Sequence, residues 1–169
     1  MKIIFVRHGD YNLKTEKLTM LGKLQIVCVR KYLENEKVDL ILSSPKPRAL
    51  EGAKILNKKW NVPLLISKDL REREILVTDK EELKQKYQEN YFDMLDESTE
   101  YETCKKFVDR TIKGIKDALD NNKSAKTIIV MGHSSSLYAL SAMINGIPED
   151  NRIKWMQCNC GACIKFHLE

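Results

Sequence analysis

The alternation of short apolar runs with longer amphipathic segments most strongly constrains how this chain can fold. The apolar runs have the length of strands, and the segments between them repeat their apolar residues at helical spacing. The predicted strands lie at 2–6, 39–43, 63–67, 127–132 and 161–168, and the predicted helices lie at 20–36, 46–59, 80–92, 101–121 and 135–145. This alternation is typical of an α/β fold with a mostly parallel central sheet and helices on both faces. A length of 169 residues predicts a single domain, 1–169, with a sizeable core.

Two of the predicted strands run directly into a histidine beside a glycine. The first strand leads into Arg7-His8-Gly9, and the fourth leads into Gly132-His133. Open α/β sheets bind their ligands outside the carboxyl ends of the strands. Because two of the chain's three histidines occupy this kind of place, we predict that both imidazoles line one pocket.

Signals for the start of a helix follow the first and second strands. Thr19 is predicted as the N-cap of the first helix, where its hydroxyl accepts from first-turn amides. Ser44 is predicted as the N-cap of the second helix, with Pro45 at the first helical position. This assignment puts Arg48 in the first turns of that helix, from where its guanidinium can point back over the edge of the sheet.

Taken together, these segments resemble a known family, the histidine phosphatases with the phosphoglycerate mutase-like fold. The matching segments are Val6-Arg7-His8-Gly9, Leu18-Thr19-x-x-Gly22, Ser44-Pro45-x-x-Arg48-Ala49, Leu70-Arg71-Glu72, Glu97-Ser98 and Gly132-His133. Each is common by itself, but their occurrence in the family's order along nearly the whole chain is highly specific. The resemblance implies a phosphoglycerate mutase-like fold whose final strand pairs antiparallel, and a metal-independent phosphatase activity.

Phosphoryl transfer explains why these residue types occur together. The transferred group spreads negative charge over its oxygens, so catalysis depends on positioning and on electrostatic stabilisation. Arg7 and Arg48 offer the planar paired donors that such oxygens accept. The resemblance implies that neutral His8 is the nucleophile that becomes phosphohistidine, and that protonated His133 hydrogen-bonds the phosphoryl oxygens. Ser134 opens a predicted helix whose free amides also favour an anion.

The loop after the first strand departs from the family pattern. Many members continue Arg-His-Gly with Glu-Thr and an asparagine that contacts the phosphate, whereas this chain continues with Asp10-Tyr11-Asn12-Leu13-Lys14. We name Asn12 as a phosphate-binding candidate, with Tyr11 and Lys14 as open alternatives for the same contact.

A leaving alkoxide needs a proton, which a carboxylic acid near the pocket can deliver before it serves as the base for water. The family's Leu-x-Glu pattern places this acid at Glu72. The segment 68–74 alternates charge signs in the way that a solvated loop or helix face does. Glu74 and Asp10 therefore remain local competitors for the same role.

Three functions are compatible with these residues. The first is a phosphomonoesterase that acts on a small phosphorylated metabolite or a phosphoprotein. The second is a phosphoglycerate mutase-type isomerase, and the third is a catalytically silent module that binds a phosphorylated ligand. Hydrolysis is favoured, because the mutases of the family hold their substrate's carboxylate with arginines after the acid, and this chain has no arginine between Arg73 and Arg110. Retention of His8 argues against a silent module. Substrate specificity is expected to come from 74–100.

Composition limits the partners and the location. The net charge of +5, from 29 basic and 24 acidic residues, would steer anionic substrates modestly, but the lysines form no basic strip for nucleic acid. No apolar run reaches the roughly 20 residues that span a bilayer. Five cysteines are an odd number, and no export signal precedes the first strand. We therefore predict reduced thiols and a cytoplasmic location.

Neither a metal nor a cofactor is predicted. The run Cys158-Asn159-Cys160-Gly161-Ala162-Cys163 could ligate zinc, but no second ligand pair at zinc-finger spacing accompanies it. A simpler interpretation is that the last strand alternates small apolar residues toward the core. The predicted partner is thus a phosphorylated substrate alone, and the oligomeric state is left open.

Overall fold

The computed structural model describes residues 1–73, 102, 104–145 and 160–167. In chain order the elements are β1 (Lys2–Arg7), α1 (Met20–Tyr32), β2 (Leu40–Ser43), α2 (Pro47–Asn57), β3 (Leu64–Ile66), a 3₁₀ turn (Lys68–Leu70), α3 (Cys104–Asp120), β4 (Thr127–Gly132), α4 (Ser134–Asn145) and β5 (Cys163–His167). These elements confirm the predicted strands and four of the predicted helices, although α1 ends four residues early. The predicted helix at 80–92 lies outside the described residues. Among the described helices, none is both long and apolar enough to cross a membrane.

The strands form one sheet in the order β3-β2-β4-β1-β5. β1 pairs parallel with β4, with Arg7 opposite Gly132, and β2 pairs parallel with both β3 and β4. β5 runs antiparallel to β1, with Val6 opposite Cys163. The mostly parallel sheet is therefore confirmed, and so is its antiparallel final strand.

Both faces of the sheet are buried, because successive strand residues point to opposite sides. One core cluster joins Ile4 and Ile129 to residues of α1 and α2. The other joins Phe5 and Val130 to residues of α3 and α4. Full burial of a side chain of this size stabilises the folded state by about 1.5–3 kcal/mol. The sheet is thus a firmly packed support for the loops at its carboxyl edge.

The carboxyl ends of β1, β2 and β4 meet at this edge. His8 N donates to Gly132 O at 3.1 Å, and Ser44 N donates to Met131 O at 3.0 Å. The hydrogen-bonding pattern of the sheet therefore continues one residue beyond the strands. These bonds hold the backbones of His8 and Ser44 beside the end of β4. His133 directly follows Gly132, so all three residues lie next to one another at this edge.

The other side of β1 is held by the turn that precedes β5. Arg7 N donates to Ala162 O at 3.0 Å, and Gly161 N donates to His8 O at 3.0 Å. The backbone of His8 thus has hydrogen bonds on both sides, and that of Arg7 is held on the β5 side.

The loop after β1 lies directly against the start of α1. A Cβ atom on Gly9 would stand 2.3 Å from Gly22 O, and a Cβ on Gly22 would stand 1.9 Å from Asp10 O. Only glycine allows this approach of two backbones. Thr19 is the N-cap of α1, as predicted, and its hydroxyl accepts from Gly22 N at 3.0 Å.

Pro45 was predicted at the first helical position of α2, and this prediction was wrong by two residues. The helix begins at Pro47, and its N-cap is Lys46, which has an extended backbone (ψ 136°) and no side-chain cap. A residue before proline is pushed out of the helical region, so Pro47 sets the boundary instead of Pro45. Ser44 accepts from Lys46 N at 3.3 Å in the turn before the helix. Arg48 is therefore the second helical residue.

Candidate active site

His8 lies at the carboxyl end of β1, with only 2% of its surface exposed. Its Nδ1 lies 2.8 Å from the carbonyl oxygen of Gly9. A carbonyl can only accept, so this contact assigns the proton to Nδ1. The lone pair of Nε2 then accepts from Arg48 Nε at 3.2 Å. Burial, together with the charges of His133, Arg48 and Arg7, lowers the pKa of His8 to about 4, against the opposing hydrogen bond to Gly9. His8 is therefore a neutral imidazole at pH 7.

Arg48 reaches the same place from the first turn of α2. Besides its bond to His8, its Nη1 donates to Glu16 Oε1 at 3.2 Å, and its Nη2 lies 3.6 Å from Glu72 Oε2. The guanidinium carbon stands 4.5 Å from the centre of the Tyr11 ring, a cation–π distance. The edge of that ring also meets His8, with the ring centres 5.1 Å apart. Tyr11 therefore contacts both residues.

His133 follows β4 and is fully buried. Its Nε2 lies 2.8 Å from the hydroxyl of Ser44, and its ring centre is 5.2 Å from that of His8. Its Nδ1 lies 3.1 Å from Glu72 Oε2, although without the alignment of a hydrogen bond. The two imidazoles do share one pocket, as the positions of the strand ends predict.

Glu72 follows the 3₁₀ turn, and its side chain is 32% exposed. The hydroxyl of Ser135 donates a short hydrogen bond to Oε1. Burial alone would raise the pKa of this carboxyl, but the contact with His133 and its charge, the bond from Ser135 and the charge of Arg48 together lower it to about 2. Without a substrate, Glu72 is therefore a carboxylate bound to the cationic side of the pocket.

Arg110, a residue of α3, holds the backbone of Glu72 and of the residues before it. Arg110 Nη1 donates to Asp69 O at 2.5 Å and to Arg71 O at 3.0 Å, and Nη2 donates to Glu72 O at 3.4 Å. Nη2 also donates to Glu102 Oε2 at 2.6 Å. One guanidinium thus binds three carbonyl groups within this four-residue segment and a carboxylate that neutralises it.

The remaining predicted residues lie in different surroundings. The charge of Arg7 acts on His8, and Ser134 is the half-buried first residue of α4. Asn12 is exposed, and its Oδ1 accepts from Lys14 N at 2.9 Å and from Thr15 N at 3.1 Å. This oxygen stabilises a turn, and among the described residues its partners are Lys14 and Thr15, not the histidines.

The competitors for the acid role are separated by the fold. Asp10 Oδ2 accepts from the hydroxyl of Thr19 at 2.6 Å, at the start of α1. Glu72 instead contacts His133 and Arg48. Glu74 lies outside the described residues, as do Glu97-Ser98 and the expected specificity segment 74–100. In the cysteine-containing segment 158–163, residues 158 and 159 also lie outside the described residues.

Three residues at the site were not predicted to be there. Glu16 binds Arg48, Ser44 binds His133, and Ser135 binds Glu72. The serines at 134–136 were predicted to open a helix whose N-terminus favours an anion. That prediction points to the region of Ser135 but not to its bond with Glu72. Nothing in the sequence marks Glu16, because its position depends on a turn and on a contact with another element.

The pocket also brings together three groups that could hold a metal ion. His8, Glu72 and His133 each offer one ligand atom, and these atoms lie within 4.8 Å of one another. Two imidazoles and a carboxylate are ligands that zinc accepts. However, the charges of Arg7 and Arg48 act at the same place, and they favour an anion over a dication. Sequence spacing could not reveal this cluster, because its members come from distant segments.

Comparison with known proteins identifies the family of the chain. Residues 3–166 match the histidine phosphatase superfamily (branch 1). The uncharacterized phosphatase PhoE of Bacillus subtilis (strain 168) is 27% identical over 159 residues, which cover 85% of this chain and 77% of that protein.

Two solved structures show the same fold at low sequence identity. YhfR of Bacillus stearothermophilus has a TM-score of 0.81 at 19% identity, with 99% of this chain and 91% of that chain covered. The phosphoglycerate mutase of Bacillus anthracis str. Sterne has a TM-score of 0.77 at 16% identity, with 97% and 86% covered. The phosphoglycerate mutase-like α/β fold is thereby confirmed. Together with the match over 3–166, these findings show that the chain belongs to the histidine phosphatase superfamily.

Proposed function

We propose that this protein hydrolyses phosphomonoesters through a phosphohistidine intermediate on His8. The observation that carries the proposal is a buried neutral imidazole whose Nε2 lone pair faces the pocket beside Arg48. The charge of Arg7 also acts on His8, and the ring of His133 lies beside the ring of His8. A neutral nitrogen nucleophile inside a ring of donors suits attack on a phosphoryl group. Asn12 and Ser134 remain candidate phosphate-binding residues.

The reaction has two steps. In the first, His8 Nε2 forms a bond to phosphorus, the bond from phosphorus to the alkoxide oxygen breaks, and Glu72 gives its proton to that oxygen. In the second, the Glu72 carboxylate takes a proton from water, the water oxygen attacks phosphorus, and the nitrogen–phosphorus bond breaks. Inorganic phosphate leaves, and Glu72 again carries the proton.

Glu72 must gain a proton before the first step, although its pKa is about 2 in the empty site. A bound phosphoryl group would compete for His133 and Arg48, which are the groups that lower this pKa. Burial would then dominate and raise it. Substrate binding itself is therefore expected to prepare the acid, with the proton taken from solvent or from a substrate monoanion.

The proposal assigns no step to a metal ion. Its support is the surplus of positive charge around His8, which favours an anion at the position that a metal would occupy. Activity is therefore expected to persist in the presence of a chelator.

The test is a rapid alkaline quench during turnover, followed by mass spectrometry, because alkali preserves phosphohistidine. A gain of about 80 Da should appear on His8, by the covalent-catalysis argument. His8→Ala should abolish both label and activity. His167→Ala is the matched control, because His167 is exposed on β5, and it should retain both. Activity that survives His8→Ala, or that a chelator removes and zinc restores, would contradict the mechanism.

The same experiment separates the two alternatives. A silent binding module would show neither label nor turnover. A mutase would label His8 but would return an isomerised phosphoester in place of inorganic phosphate. The fold shared with a phosphoglycerate mutase does not decide between them, so the released product must be identified with a panel of phosphorylated metabolites and phosphopeptides.

We also propose that 1–169 acts as one domain in the cytoplasm, on a phosphorylated small molecule or a phosphoprotein, without nucleic acid or membrane partners. Support comes from the single sheet that spans the described residues and from the free thiols of Cys28, Cys160 and Cys163. Fractionation of the source cells with an antibody to the protein tests the location.

A further inference from the structure

The loop between β1 and α1 forms a closed strap, 11–18, beside the pocket. Tyr11 and Leu18 form an antiparallel bridge at its base, and Asn12 N donates to Lys17 O at 2.9 Å. Leu18 N donates to Glu51 Oε2 at 2.8 Å, which fixes the strap to α2. The strap is therefore a defined structure whose two ends are joined and anchored.

Glu16 has an unusual backbone within this strap. Its φ is 55°, a left-handed conformation that residues with a Cβ rarely adopt. Glu16 N donates to Asn12 O at 2.8 Å, and this bond helps to close the turn. The turn directs the carboxylate toward α2, where Oε1 lies 3.2 Å from Arg48 Nη1 and 3.3 Å from Lys46 Nζ.

With this contact, each of the three nitrogens of Arg48 has a partner. Its Nε binds His8, its Nη1 binds Glu16, and its Nη2 faces Glu72. The guanidinium is buried, and the two carboxylates occupy directions from which an anion could take paired donors, so a phosphoryl group must compete with them for its N–H groups. Glu72 has a proposed role as the acid. Glu16 has none, and 39% of its side chain is exposed, so it has room to move.

We propose that Glu16 is an internal competitor of the phosphoryl group for Arg48, displaced when substrate binds and returned to Arg48 when product phosphate leaves. This inference rests on the proposed function, and it makes Glu16 an affinity-determining residue that does not touch the reacting atoms. Lys46, at the strap side of the pocket, would retain the displaced carboxylate close by. Glu16 thus weakens the binding of every anion that uses Arg48, including the product.

The ionisation of Glu16 is consistent with this role. Partial burial alone would raise its pKa, but the hydrogen bond to Lys46 and the charges of Lys46 and Arg48 lower it below the usual value. The carboxylate therefore stays charged, and able to compete, throughout the neutral pH range.

The test is a calorimetric titration of the whole protein with inorganic phosphate and with vanadate. Glu16→Gln keeps the shape of the side chain and removes its charge. We expect its dissociation constants to fall about two- to fivefold, from the range measured for exposed ion pairs. KM should fall by a similar factor, while kcat stays equal or decreases because phosphate leaves more slowly. Glu34→Gln makes the same change of net charge at an exposed position after α1, and it should bind phosphate as the wild type does.

A second variant protects the test against a folding defect. Glu16→Asn suits the left-handed backbone and also removes the charge, so it should tighten phosphate binding in the same direction. Unchanged or weaker binding in both variants would overturn the inference, and weaker binding would show that Glu16 holds Arg48 in place. If the wild type and both variants all fail to bind phosphate and vanadate, the pocket is no phosphate site and the proposed function fails as well. If the wild type binds them but His8→Ala remains active, only the mechanism fails, and the Glu16 comparison still decides this inference.

Discussion

Two titratable residues at the site have lowered pKa values for opposite reasons. For His8 the dominant cause is burial, which favours the neutral ring. For Glu72 burial acts in the other direction, and the contacts with His133, Ser135 and Arg48 outweigh it. A ligand that binds those contacts therefore changes the state of Glu72 much more than the state of His8. His8, the proposed nucleophile, is already neutral in the empty site, whereas Glu72, the proposed acid, is expected to gain its proton when substrate binds.

This difference leads to a prediction for Glu72→Gln. Hydrolysis of an alkyl phosphate should slow about 10²- to 10⁴-fold, the usual contribution of general acid–base catalysis. Hydrolysis of p-nitrophenyl phosphate should slow much less, because nitrophenolate leaves without a proton. The measurement is the ratio of kcat/KM for the two substrates, with Glu34→Gln as the control. Equal losses on both would assign Glu72 to positioning or folding, and a larger effect of Asp10→Asn would move the acid there.

At the scale of elements, α3 supports the site without entering it. A Cβ on Gly114 would stand 2.7 Å from Asp69 Cβ, so the helix packs closely on the 3₁₀ turn. One turn earlier, Arg110 binds the carbonyls of Asp69, Arg71 and Glu72. The helix thereby fixes the position of the Glu72 backbone relative to the edge of the sheet. A small displacement of a catalytic group can lower the reaction rate by a large factor.

We therefore expect Arg110→Met to lower kcat for an alkyl phosphate about tenfold or more, with a smaller loss on p-nitrophenyl phosphate and little change in KM. Lys113→Met is the matched control, because Lys113 is exposed on the same helix and pairs with Asp117. In a Glu72→Gln background, Arg110→Met should add little, since both changes affect one group. Equal and additive losses on both substrates would show that Arg110 serves only the stability of the fold.

The elements also show what the sequence could predict. Apolar runs and strand-end histidines give the sheet and the pairing of His8 with His133, because parallel strands bring their ends to one edge. Thr19 is found as a cap because its signal is local. The start of α2 was misplaced, because the Ser44-Pro45 pair carries a local start signal, whereas Pro47 keeps Lys46 out of the helical region and sets the boundary. Glu16 was not predicted, because its contact depends on a left-handed turn and on the approach of α2.

At the scale of the whole molecule, the buried His8 links stability to pH. Its pKa is about 4 in the folded protein, against an ordinary value of 6.5. Above pH 6.5 neither state binds this proton. Between pH 6.5 and 4 the unfolded chain binds it and the folded protein does not. Stability should therefore fall as the pH falls through this range, by about 3 kcal/mol in total.

Urea unfolding at pH 7.0, 5.5 and 4.5 measures this effect. His8→Gln should lose less stability over this interval than the wild type, because it removes the titrating group, whereas His167→Gln should behave as the wild type. The lowered pKa of Glu72 acts in the more acidic interval between its ordinary value of 4.5 and about 2. An identical pH dependence in His8→Gln and the wild type would show that the ring of His8 is not held neutral by burial.

The position of β1 in the sheet has a consequence for how the protein is made. Among the described strands β1 is synthesised first, yet its two neighbours, β4 and β5, begin only at Thr127 and Cys163. An apolar strand with both edges unpaired is a site for aggregation. His8, the proposed nucleophile, therefore follows the described strand that waits longest for its partners. A nascent chain that stops before β4 cannot bring His133 to His8, so the two imidazoles meet only after most of the described residues have been synthesised.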